Sequence, residues 1–142
     1  MWTSVIAVIG TLLGSMATHL VQQRGSDRTA ARRDRLTAVT ALTVALADHR
    51  RAMWMREDLR LSGADTSAYE VARAESHGTR SALTAPLTTL AILAPGLTRS
   101  AQEAATATYR MRGAASPQAL NGARDEAITA CERLVADASK LF

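Results

Sequence analysis

Residues 2–21, WTSVIAVIGTLLGSMATHLV, form a run of twenty residues without a single Asp, Glu, Lys or Arg. As a helix rising about 1.5 Å per residue it would be roughly 30 Å long, the thickness of a bilayer's hydrocarbon core. Five arginines follow it, Arg24, Arg28, Arg32, Arg33 and Arg35, against only Asp27 and Asp34. Positive charge behind an apolar span holds that side in the cytoplasm and meets anionic lipid headgroups. Ser15-Met16-Ala17 has the small-x-small pattern of a cleavage site, but no Lys or Arg precedes the run, where a secretory signal carries its charge. The expectation is an uncleaved anchor over 1–23 in a bacterial cell membrane, N-terminus outside. A basic juxtamembrane segment over 24–35 and a cytoplasmic helical domain over 36–142 would follow. Trp2 suits the outer interface, and Gly10 with Gly14 makes a G-x-x-x-G ridge on which two copies could pack as a homo-oligomer.

The remaining composition argues for helices. Alanine occurs 29 times and arginine 16 times, against one lysine and five aromatic residues. Small and aliphatic side chains pack helices closely and leave little material for an aromatic-lined ligand pocket. Alternation of β-branched residues is absent after the first segment, so strands are not expected. A single cysteine, Cys131, excludes an intramolecular disulfide. The net charge of +4 is concentrated just after the apolar run, and no aromatic residue interleaves those arginines for base stacking. Nucleic acid is therefore not the expected partner.

Along the chain, Gly25-Ser26-Asp27 reads as a break, with Ser26 or Asp27 capping a new helix from about 28 to 61. Val39, Leu42, Leu46, His49 and Met53 recur at three- and four-residue spacing and give that helix one inward stripe. A Ser/Gly/Asp loop over 61–67 precedes a second helix, with Ser67 and Glu70 as a capping box. This helix points Tyr69, Ala72, Ser76, Leu83, Leu87, Leu90 and Ala94 inward. Pro86 should kink or split it, and Pro95-Gly96 should end it. A third helix over 97–112 stops at Gly113, and Ser116-Pro117 opens a fourth. In the fourth, Leu120, Ala123, Ala127, Cys131, Leu134, Ala138 and Leu141 form a coiled-coil-like seam. The fold class is all-α: one N-terminal transmembrane helix, then an antiparallel bundle of about four helices.

No catalytic constellation emerges. His19, His49 and His77 sit on separate segments without metal-ligand spacing, and neither a phosphate loop nor a nucleophile elbow is present. The expectation is a non-enzymatic protein without cofactor, metal or small-molecule substrate. The densest functional stretch is DHRRAMWMRED, residues 48–58, where Arg50, Arg51, Trp54 and Arg56 make a candidate partner surface. Its plain alternative is a helix end on which Trp54 covers the bundle and the arginines pair with nearby acids.

The opening MWTSVIAVIGTLLGS…THLVQQR, together with ALADHRRAMWMREDLRLSGA, resembles the KilB-like small proteins of streptomycetes. The resemblance covers the layout of nearly the whole chain. It implies a part in plasmid transfer and intermycelial spread, with a transfer-apparatus protein as partner, and carries over no catalytic or binding residues. Two other readings remain: a phage-type holin or lysis accessory protein, and a peripheral helical bundle that binds DNA through its basic arm.

Overall fold

A computed structural model gives the secondary structure of residues 2–141 and describes side chains over 27–141. Trp2, Gly10, Gly14 and Arg24 lie outside the described side chains. Among the described residues the structure is entirely helical. The helices are α1 (Trp2–Ser62), α2 (Thr66–Ala82), α3 (Thr84–Leu93), α4 (Thr98–Tyr109) and α5 (Pro117–Ser139), with a 3-10 turn, Pro95–Leu97, leading into α4. The chain divides into two units, 1–34 and 35–142, and the second holds the core. Among the described residues no helix is long and apolar enough to cross a membrane; the predicted anchor over 1–23 falls outside that set.

Two local expectations are corrected. Helical structure continues through Gly25-Ser26-Asp27, where a break was expected. A helical glycine costs only about 1 kcal/mol, and without a proline nothing forces the chain to stop. The α2 N-cap is Asp65, not Ser67: the Asp65 carboxylate accepts from the Ser67 amide at 3.2 Å. Glu70 pairs with Arg73 at 3.3 Å instead of closing a capping box. Both candidates carry acceptor side chains, and Asp65 wins because Gly63, at φ 67°, has already turned the chain just before it.

Proline punctuation acts as expected. The second helix is split at Leu83, so that Pro86 sits in the first turn of α3, where its missing amide has no helical partner to lose. Gly113, at φ 77°, ends the turn after α4. Ser116, in extended backbone, accepts the Ala119 amide at 3.1 Å, and Pro117 occupies the first position of α5.

The stripe Val39, Leu42, Leu46, His49 and Met53 is buried throughout. Val39, Leu42 and Leu46 pack into a large apolar cluster with Leu83, Leu90, Leu97 and Leu134 and the alanines of α4 and α5. Ala101, Ala104, Ala105 and Ala107 on α4 face Ala127, Ala130 and Ala138 on α5, small residues that let the two helix backbones come close. Ser100, at the start of α4, lies near the Asp137 carboxylate close to the end of α5, so the two helices run antiparallel. A second, smaller cluster of Met53, Met111 and Leu120 closes the other end, with Trp54, Leu61 and Ala123 against it.

Candidate partner surface

On a helix, residues four apart share a face and residues two apart do not. Arg50 and Trp54 therefore project together, as do Arg51 and Met55, while Arg56 turns away. Trp54 is half-buried: its ring covers the small end cluster, and its Nε1 donates to Asn121 Oδ1 on α5 at 3.2 Å. The Arg124 guanidinium lies 5.9 Å from the Trp54 ring. These groups, with Ala47, Arg50, Arg51 and Met55, line a shallow groove of about 570 Å³ between α1 and α5. Arg50 also borders a more apolar groove of about 430 Å³ made by Ile128, Cys131 and Val135 on α5, with Glu132 at its edge.

Charge on this face is not balanced locally. Among the described residues, no carboxylate lies within ion-pair distance of Arg50, Arg51 or Arg124. The expected pairing of Arg50 or Arg51 with acids on the same helix is therefore not made. Arg50 instead reaches toward Cys131, whose thiol is pushed up chiefly by burial and is correspondingly unreactive. Met55 is 44 % exposed, leaving a flexible apolar side chain beside three guanidinium groups.

Arg56 does not belong to this face, which corrects its inclusion with Arg50, Arg51 and Trp54. It is buried, with Nε 3.6 Å from Glu57 Oε1 and its guanidinium 6.0 Å from the Tyr69 ring. Glu57 is almost fully buried as well. Its Oε2 accepts from Arg60 Nε at 2.7 Å and from the Gly113 amide at 3.1 Å, and Arg60 also donates to the Ala114 carbonyl. One buried carboxylate thus fastens the end of α1 to the turn between α4 and α5. The sequence carried no signal for this contact, because Gly113 lies 56 residues from Glu57. Arg124 and Asn121 were missed for the same reason: only packing of α5 beside α1 brings them to Trp54. Of the predicted basic arm, Arg28, Arg32 and Arg33 are exposed. Arg35 donates from Nε to the Leu93 carbonyl at 3.0 Å, where a cation suits the C-terminus of α3.

Fold and surface together define a small all-α bundle with one basic, tryptophan-bearing face. A family model described as KilB plasmid transfer protein matches residues 36–142. Protein KilB of Streptomyces lividans is 55 % identical over 145 residues, covering 100 % of this chain and 99 % of that protein. The chain belongs to the KilB plasmid transfer protein family. No solved structure matches it.

Proposed function

We propose that this protein is a non-enzymatic, membrane-anchored interaction protein that serves plasmid transfer or spread by presenting its helical bundle to a protein partner at the inner face of the membrane. Residues 2–21 span the bilayer with the N-terminus outside, and the exposed arginines after them lie against lipid headgroups. The observation that carries the reading is the α1–α5 face, where Arg50, Arg51 and Arg124 surround Trp54 and Met55 without local acidic partners. Arginine and tryptophan at the centre of a shallow groove are the residues on which binding energy concentrates.

Fractionation of the tagged protein, followed by protease treatment of intact spheroplasts, tests the anchor. Release only by detergent, with a shielded C-terminal tag, is the expected result. Release by salt or carbonate would sink the anchor and favour a peripheral bundle. Crosslinking from position 51 tests the surface: Trp54→Ala should abolish the adduct to the partner, whereas Arg99→Ala, on the opposite side of α5, should leave it.

A further inference from the structure

Three arginines and two histidines meet where α1, α2 and the end of α4 come together. His49, Arg56, His77, Arg80, Tyr109 and Arg112 line a cavity of about 20 Å³, room for one water molecule or one oxygen atom of a larger group. His49 is 1 % exposed and Arg56 8 %, while His77, Arg80 and Arg112 stand exposed at the rim.

Two buried polar atoms on this wall are unanswered: His49 Nε2 and Arg56 Nε have no hydrogen-bond partner among the described residues. The chemistry of each can be assigned. His49 Nδ1 lies 3.0 Å from Thr79 Oγ1. That hydroxyl has one hydrogen, directed to the carbonyls of Glu75 and Ser76 at 3.1 and 3.2 Å. The ring proton is accordingly placed on Nδ1, and Nε2 presents a lone pair. One atom calls for a donor, and the other, a guanidinium N–H, calls for an acceptor.

The charged residues that line the cavity, Arg56, Arg80 and Arg112, have one sign. The acidic neighbour of Arg56 is Glu57, and its Oε2 is already shared by Arg60 and the Gly113 amide. Arg80 lies 4.5 Å over the Tyr109 ring, and among the described residues neither Arg80 nor Arg112 has an ion-pair partner. A water would answer both buried atoms but would leave the Arg80 and Arg112 charges at the rim unmet. A phosphodiester would meet the charge but has no hydroxyl to give Nε2.

We propose that this cavity and its rim form a binding site for a phosphomonoester or hydrogenphosphate. The P–OH oxygen enters the cavity, where it accepts from Arg56 Nε and donates to His49 Nε2, and Arg80, Arg112 and His77 close over the remaining oxygens. Guanidinium–phosphate contacts are short and charge-assisted, so the exposed arginines contribute both affinity and geometry.

The test is titration of the purified full chain with inorganic phosphate, read by the ¹⁵N ring signals of His49 and by the melting temperature. Sodium chloride at matched ionic strength is the control. A saturable shift of the His49 signals and a rise of a few degrees in melting temperature, neither produced by chloride, are expected. Arg112→Gln, an exposed change that does not threaten the core, should weaken binding about tenfold. Arg133→Gln, an equal charge loss on the far side of α5, should leave binding within about twofold. An unsaturable response, or equal losses from the two variants, would overturn the site. Binding of dimethyl phosphate as tightly as phosphate would overturn the monoester assignment. Displacement of phosphate by a short-chain phosphatidic acid would assign the ligand to a lipid headgroup. Failure to displace it, with phosphate still saturating, would assign a soluble phosphomonoester.

Discussion

The two ends of the bundle are held together by different physics. At one end, Leu42, Leu46, Leu83, Leu90, Leu97 and Leu134 meet the α4 and α5 alanines in a continuous apolar cluster. At the other, Met53, Met111 and Leu120 form a small buried apolar cluster, and beside them lie Arg56 and Glu57. The first end is stabilised by area removed from water, which is tolerant of exact partners. The second depends on a few directed contacts, and a directed contact fails completely when one partner is lost. The proposed ligand cavity and partner surface both lie at the second end, where the polar groups are.

Loss of the buried carboxylate should have the largest effect. Glu57→Ala strips Arg60 and the Gly113 amide of their acceptor and leaves Arg56 buried without a counter-charge. Removing one member of such a group costs about 3–5 kcal/mol. Urea unfolding of the variant should show that loss, with slower hydrogen exchange lost first around 110–116. If Glu57→Ala costs less than Leu46→Ala, the directed-contact account of this end is wrong.

Leu46→Ala is the matching change at the apolar end. Leu46 is 1 % exposed within the large cluster. Its truncation should cost about 3 kcal/mol, with the cavity absorbed in part by neighbouring leucines and alanines. The expected signature differs as well: destabilisation without a localised increase in exchange, because the cluster draws on four helical segments rather than one turn.

Acid should separate the two ends further. Burial, and then the nearby Arg80 charge, lower the His49 pKa from 6.5 to about 4. The folded state thus prefers the neutral ring, and the contribution is complete above pH 6.5. It is lost as pH falls from 6.5 toward 4, because the unfolded chain takes up the proton first. With allowance for partial solvation at the cavity mouth, the loss is about 2 kcal/mol. His77, Arg56, Arg80 and Arg112 also face this cavity, so the comparison is with His49→Gln, whose stability should be flatter over that window. An unchanged slope in His49→Gln would remove His49 as the source.

What could be read in the sequence follows the same division. Periodicity alone located Val39, Leu42, Leu46, His49 and Met53 on the buried stripe, because a 3.6-residue repeat needs no knowledge of the partner helix. Pro86, Gly113 and Ser116-Pro117 were equally legible, since backbone restrictions are local. The Glu57–Gly113 contact and the Trp54–Asn121 bond were not, because each joins residues more than fifty positions apart. Arg56 was misplaced for a different reason: its charge suggested surface, although its position, two residues from Trp54, sets it on another face. The membrane anchor and the four groups assigned to it or just after it, Trp2, Gly10, Gly14 and Arg24, were read from hydropathy and charge.

The smallest effect on stability should come from the outward face of α1, and it is there that the comparison becomes functional. Arg51 is exposed and makes no ion pair among the described residues. Arg51→Glu should therefore change the unfolding free energy by no more than about 0.5 kcal/mol. It replaces one of three guanidinium charges around Trp54 with a carboxylate, so an acidic partner should associate more slowly and dissociate faster. Loss of plasmid spread with unchanged stability and protein level would place Arg51 in recognition rather than in folding. Retained spread would instead leave Trp54 as a cover for the Met53–Met111–Leu120 cluster, and the arginines around it as solvated charge.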